Sequence, residues 1–351
     1  MNFLQRRKGR SKDLMVFCRQ FSTLMTAGVT VLTAVKILTE QNARRPLGLP
    51  LQGVLKGLEN GRSLSHSFAR DSRAFPLLFV SMVEAGESGG RLEEVLQRLA
   101  DYYEKEHDLR ERMKTALIYP AMILAAAGSA LVFIIVRVLP VYTDVFLYFG
   151  AELPLLTRLF LDLGRWVALW WHTALPALLF LVLLTGKGFS SRAGRALLDR
   201  LLARVPVYGH LFRKVVVARF ARVMGILLSS GLNLMTSLEL TENSLGNSLY
   251  AAFLREARLN IGRGHSISGT MGGTRLFPPL AVKMIHIGEQ TGTLETMFHK
   301  IADFTEGEIK YAVDRLSSLI EPVLVLFLAI FVGVMAMSVF LPMFDMFELV
   351  R

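Results

Sequence analysis

The sequence predicts an all-α integral membrane protein with two duplicated cytoplasmic helical bundles, about six helices each, and three transmembrane helices. A repeated block, its fixed distance from two prolines, and the placement of charge make that prediction. The block is Gly86-Glu87-Ser88-Gly89-Gly90-Arg91-Leu92-Glu93, and it returns as Gly288-Glu289-Gln290-Thr291-Gly292-Thr293-Leu294-Glu295. In each copy a proline lies 34 residues beyond the leading glycine, at Pro120 and Pro322, and another lies 20 residues further on, at Pro140 and Pro342. The stretches between the prolines are almost wholly apolar. Two long spacings held to the residue mark an internal duplication in which a helical module leads into a membrane span.

The chain has 351 residues, a mean hydropathy of +0.42 and 52% hydrophobic residues, high for a soluble protein. Lys and Arg outnumber Asp and Glu by 40 to 29. Such a surplus suits nucleic acid, an acidic partner or the positive-inside bias of a membrane protein, and its position decides between them. Residues 1–115 carry 19 basic and 13 acidic groups, residues 186–318 carry 17 and 10, and residues 140–165 carry two and three. The excess sits in the large segments and vanishes in the short one. Both large segments are therefore expected in the cytoplasm, with no direct nucleic-acid contact. The single cysteine, Cys18, excludes an internal disulfide and a thiolate metal cluster, and fits a small apolar group on a helix. No cleavage site follows the basic start, so targeting is expected to rest on the internal spans.

Residues 1–13 read as a basic N-terminal arm with Arg6, Arg7, Lys8, Arg10 and Lys12, and residues 14–115 as the first bundle. Apolar residues recur at helical spacing from Leu14 through Phe17, Cys18, Phe21 and Leu24 to Leu38, and Gly28 divides the run. A helix over Leu51–Leu58 ends at Asn60-Gly61. Ser63 or Ser65 caps a short helix carrying Phe68, and Pro76 opens another. After the glycine block a charged amphipathic helix runs from Leu92 to Lys114. Residues 117–139 form the first span, 23 residues or about 34 Å as a helix, against a bilayer core of roughly 30 Å. Residues 140–165 are an extracytoplasmic connector, and 166–185 the second span, with Trp166, Trp170 and Trp171 as an aromatic belt. Residues 186–318 repeat the first bundle: Phe220 parallels Phe17, Gly231 parallels Gly28, Ser266 parallels Ser63, and Asp303 and Glu306 parallel Asp101 and Glu104. The third span is 319–341, and 342–351 is an extracytoplasmic tail.

Catalytic patterns are missing from the sequence. It has no phosphate-binding Gly-x-x-x-x-Gly-Lys-Ser/Thr loop, no Gly-x-Ser-x-Gly elbow and no His-Glu-x-x-His pair, so no enzyme activity, cofactor or metal is expected. The candidate site is the repeated block, Gly86, Glu87, Gly90, Gly288, Glu289 and Gly292. Two readings fit it. In the structural one the glycines make a left-handed or closely packed turn and the glutamate caps N–H groups opening the next helix. In the other the glutamate is a partner contact or metal ligand. The structural reading is preferred, because a duplicated turn must first work as a turn. The acidic groups that follow, Glu93, Glu94, Asp101, Glu104 and Glu106, suit a solvated face or a dock for a basic partner. Arg137, Glu321 and His172 lie near span ends, where a polar tip reaches the headgroups.

The Ala85–Gly90 block, the run Arg112-Met113-Lys114-Thr115-Ala116-Leu117-Ile118-Tyr119-Pro120 and the opening Phe17-x-x-x-Phe21-x-x-Leu24-x-x-x-Gly28 resemble the bacterial type II secretion protein F family. That family includes the type IV pilus assembly platform, PilC. The resemblance runs from about Leu14 to Phe347. It implies a multi-pass inner-membrane platform that couples a cytoplasmic hexameric assembly ATPase to extraction of pilin or pseudopilin subunits. Other inner-membrane assembly proteins, membrane lipid and further copies of the chain, as a dimer or tetramer, would be its partners. Pilus, secretion and DNA-uptake machines share such a platform. The sequence has Glu321 where the first copy has Tyr119. Some relatives are thought to bind calcium around the block; Arg91, four residues after Glu87, argues against that site here. A small repeat-built transporter is the alternative, disfavoured because the copies are parallel and no ionisable group lies at mid-span. A membrane-bound enzyme ranks last.

Overall fold

A computed structural model describes residues 2–138, 158, 162, 206–274 and 276–349. These residues form α-helices and no strand. The helices are α1 (Asn2–Thr26), α2 (Val31–Gln41), α3 (Gly48–Glu59), α4 (Leu64–Ala69), α5 (Leu77–Ser88) and α6 (Leu92–Phe133), which closes in a π-helical turn over Ile134–Val138. After an interval come α7 (Pro206–Ser229), α8 (Leu234–Ser244), α9 (Ser248–Gly262), α10 (Ile267–Gly272), α11 (Pro279–Thr291) and α12 (Leu294–Leu349). The backbone of residues 2–12, expected as an arm, is the first part of α1. The second expected span, 166–185, and nearly all of the connector 140–165 lie outside the described residues.

Local chemistry sets the helix ends. Gly28 closes α1 at φ +78°, with Val29 N–H on the Leu24 carbonyl at 3.0 Å. Thr30 then caps α2 through a bond from Thr33 N–H. Ser63 caps α4, Asn233 caps α8, Asn247 caps α9 and Ser266 caps α10, each accepting a backbone N–H in the first turn. Pro76 and Pro278 precede α5 and α11, where a missing N–H loses nothing.

The chain divides into two compact units. One takes in the described residues of Met1–Glu111 and Arg195–Tyr311, the other those of Arg112–Gly194 and Ala312–Arg351. Within the first unit sequential helices pack on one another, α1 on α2, α2 on α3, α3 on α4 and α4 on α5, and likewise from α7 to α11. Helices α5 and α8 also meet. One core gathers Phe17, Phe21, Phe68, Phe75 and Phe79; the rings of Phe68 and Phe75 lie 4.5 Å apart, and those of Phe68 and Phe79 4.9 Å apart and edge-on. The other gathers Phe220, Tyr250, Phe277 and Phe298, with Phe220 edge-on to both phenylalanines. Matching positions trade volume: Phe79 corresponds to Ala281 in the repeat, and Leu96 to Phe298. That exchange keeps a core filled without keeping its residues. Val223, Ile226 and Leu227 of α7 and Leu240 of α8 pack into the first core. The first core therefore draws on both large segments, while the second is built from the second segment alone.

In the second unit, residues 112–133 of α6 and 312–349 of α12 are helical. Pro120 lies inside α6, and α12 continues unbroken past Pro322 and Pro342, so the segment expected as a tail is helical to Leu349. Both helices are long and apolar enough to cross a membrane. None of the most apolar stretch of α6 is buried, and only 11% of that of α12. Ile118, Met122, Val132 and Phe133, and Val323, Leu326, Ile330 and Val332, all lie exposed. A water-soluble core helix would hide these side chains.

Candidate functional site

The repeated block is a helix-ending turn built twice. Gly90 has φ +66° and Gly292 φ +69°, a region that L side chains enter only at a cost. There Arg91 N–H reaches back to the Gly86 carbonyl at 2.8 Å, and Thr293 N–H to the Gly288 carbonyl at 2.9 Å. These bonds satisfy carbonyls that the ends of α5 and α11 would otherwise leave open. The leading glycines serve a different purpose. A Cβ on Gly86 would stand 3.0 Å from the Val95 Cβ and 3.2 Å from the Leu92 Cα. One on Gly288 would stand 2.8 Å from the Met297 Cγ. Only hydrogen lets the next helix cross so closely.

Glu87 and Glu289 do not cap the helix that follows them; this corrects the expectation from sequence. Glu87 reaches back to α4, accepting Leu64 N–H at 2.7 Å, Ser65 N–H at 3.0 Å and the Ser65 hydroxyl at 2.7 Å. Glu289 repeats this at α10, accepting Ile267 N–H at 2.7 Å, Ser268 N–H at 3.3 Å and the Ser268 hydroxyl at 2.8 Å. Ser63 and Ser266 take the N–H groups of His66 and Gly269, so the first three donors of each short helix are satisfied. A six-residue helix is too short to hold itself together, and the carboxylate ties it to the next one. Burial pushes the Glu87 carboxyl up, but the bonds from Ser65 and Leu64 outweigh it and leave its pKa below the ordinary value. Its oxygens face donors, an arrangement suited to an anion and not to a bound cation, so these residues do not fit the calcium ion some relatives are thought to hold. Among the described residues no group of three or more His, Cys, Asp or Glu is placed to hold a metal.

A second duplicated feature ties the first helix of each copy to its last. Arg19 of α1 pairs with Asp101 at 2.9 Å and with Glu104 of α6. Arg222 of α7 pairs in the same way with Asp303 and with Glu306, the latter at 2.8 Å. The two differ in exposure: the Arg19 side chain is 41% exposed and that of Arg222 only 9%. Lys105 of α6 adds a bond at 3.0 Å to Asp303, and Arg219 of α7 reaches Glu106 at 3.2 Å. Burial pushes the Asp303 carboxyl up, and the bonds from Arg222 and Lys105 bring it below its usual range. Much of the acidic face is thus neutralised within the chain. Neither arginine was picked out from the sequence, although each stands two residues after a matching phenylalanine, Phe17 or Phe220.

The histidines stay apart. His286 Nδ1 lies 3.1 Å from the Ser268 hydroxyl, and His299 Nε2 lies 3.0 Å from the Ser229 hydroxyl with its ring against Gly225. Burial, reinforced by Arg222, holds the His299 pKa below the ordinary histidine value.

Comparison with known proteins places these features in a family. The family model "Type II secretion system (T2SS), protein F" matches residues 17–140 and again residues 220–342. The chain is 37% identical over 337 residues to the type IV pilus assembly protein PilC of Thermus thermophilus, spanning 95% of this chain and 82% of that one. It is 33% identical over 338 residues to the type II secretion system protein F of Xanthomonas campestris pv. campestris, with the same coverage of 95% and 82%. With the PilC of Myxococcus xanthus it shares 32% over 335 residues, 95% of this chain and 80% of the relative.

Proposed function

The chain belongs to the type II secretion system protein F family, and on that premise we propose that it is the inner-membrane platform of a pilus-type assembly machine. It couples a cytoplasmic hexameric ATPase to the extraction of pilin or pseudopilin subunits from the bilayer, and catalyses nothing itself. Spans at 117–139, 166–185 and 319–341 leave the large segments in the cytoplasm and the C-terminus outside. The platform works as a dimer or tetramer beneath the fibre, beside other inner-membrane assembly proteins.

The observation that carries this reading is the double family match, each copy ending in an unburied apolar helix. The excess of basic over acidic groups in residues 1–115 and 186–318 supports the cytoplasmic placement. The helical unit that draws on both segments offers a broad surface to a soluble motor. Deletion of the gene, followed by electron microscopy for surface fibres and an assay of secreted protein, tests the proposal. Loss of fibres or of secretion, restored by the intact gene, is the expected result. Normal assembly and secretion without the chain would end it.

A further inference from the structure

Within the second unit α6 and α12 flank an open cleft of about 320 Å³, lined by Arg112, Thr115 and Tyr119 from α6 and by Val313, Asp314 and Ser317 from α12. That volume is at the lower end of small-ligand sites. The repeat offset of 202 residues that relates Pro120 to Pro322 also relates Arg112 to Asp314 and Thr115 to Ser317. Two pairs of matching positions thus line the cleft, and at one of them the charge is inverted.

The two walls offer opposite chemistry. Arg112, Thr115 and Tyr119 make a donor wall, an arginine fork and two hydroxyls free to turn towards an anion. On the other wall the Ser317 hydroxyl donates to the Val313 carbonyl at 3.0 Å, leaving its lone pairs to accept beside the Asp314 carboxylate. Neither Arg112 nor Asp314 has an ion-pair partner among the described residues, and they do not pair with each other. The apolar runs open at Leu117 and Leu319, so the two walls straddle the edge of the hydrocarbon, at headgroup depth.

We infer that this cleft binds the headgroup of an aminophospholipid of the phosphatidylethanolamine kind. Its phosphate sits in the fork of Arg112, with Thr115 and Tyr119 donating, and its primary ammonium donates to Asp314 and Ser317. An anionic glycerol headgroup brings only neutral hydroxyls to the second wall. A choline headgroup brings no N–H to the second. The inference rests on the proposed reading of 117–139 and 319–341 as membrane spans.

The test is native mass spectrometry of the full-length chain, delipidated in detergent. It is titrated with phosphatidylethanolamine, phosphatidylglycerol, phosphatidylcholine and the soluble headgroup glycerophosphoethanolamine. Phosphatidylethanolamine is expected to bind about tenfold more tightly than phosphatidylglycerol or phosphatidylcholine, the value of one charge-assisted hydrogen bond, and more tightly than the soluble headgroup, which lacks the acyl chains. Asp314→Asn abolishes that preference, and Arg112→Gln weakens every phospholipid. Because the positions are equivalent by repeat, Arg112→Asp combined with Asp314→Arg restores the preference with the headgroup reversed. Equal binding of the three lipids, a preference that survives Asp314→Asn, or a charge-swapped chain that elutes as folded yet shows no preference would overturn the site. Equal binding of the soluble headgroup would overturn the lipid as its source. A chain released from membranes without detergent would instead overturn the spans, which separates the two failures.

Discussion

Replacing Glu87 by glutamine separates a structural brace from a partner contact. The carboxylate accepts three hydrogen bonds at 2.7 to 3.0 Å, two of them from the first N–H groups of α4. Glutamine keeps one acceptor oxygen and turns an NH2 towards groups that are themselves donors. Bonds to a charged acceptor contribute about 1.5–3 kcal/mol each and do not add fully, so the loss is about 2–3 kcal/mol. For a unit of this size that lowers the melting temperature by about 5–10 °C. Ser65→Ala, which removes one donor to the carboxylate, costs about 1.5 kcal/mol. The assay is thermal unfolding of the full chain in detergent at neutral pH, with fibre assembly scored in parallel. Because the folded carboxyl lies below its ordinary pKa, its stabilisation is present above about 4.3 and is lost as pH falls through the folded value. The glutamine variant should therefore lose less stability over that interval. A Glu87→Gln chain that melts like the parent yet assembles no fibres would refute the bracing role and make Glu87 a contact residue.

Three further outcomes follow from the same geometry. Gly90→Ala, at φ +66°, should destabilise by about 1–2 kcal/mol, and Gly288→Ala by about 1–3 kcal/mol because its Cβ meets Met297, both read from thermal melts. Arg222→Ala should lower stability by about 1–3 kcal/mol, since it removes a nearly buried guanidinium from the half-buried Glu306 and from Asp303, which keeps only Lys105. Arg19→Ala, at the matching exposed cluster, should cost less than about 1 kcal/mol; equal losses in chemical unfolding would contradict the difference in burial. His299 has a folded pKa below its unfolded one, so it destabilises the fold as pH drops below about 6.5. His299→Gln should flatten the stability profile there, and a variant profile parallel to the parent's would contradict its burial.

What the sequence could show was local. The left-handed glycines at 28, 90, 231 and 292 were legible because a break in helical spacing and a glycine name the same backbone. The partner of Glu87 was not, since its donors lie 22 and 23 residues upstream on another helix. A signal existed: Ser65 keeps nearly the same distance from Glu87, 22 residues, as Ser268 keeps from Glu289, 21. Arg19 and Arg222 were overlooked because single arginines on an amphipathic helix look solvated until the carboxylates of α6 and α12 are placed beside them. The sharing of one core by α7, α8 and the first helices was hidden too, because Val223, Ile226 and Leu227 have the same spacing as any helix face. Helix α6 runs through the boundary at Lys114 and Leu117 because a change from charged to apolar side chains leaves the backbone ladder intact.

The proposed platform role is tested most directly by ATP turnover, measured for the purified hexameric assembly ATPase with and without the full chain in lipid. No hydrolysis by the chain alone and a faster motor once the chain is added are the expected results. Turnover by the chain alone, or a motor indifferent to its presence, would contradict a platform that couples to a motor without chemistry of its own.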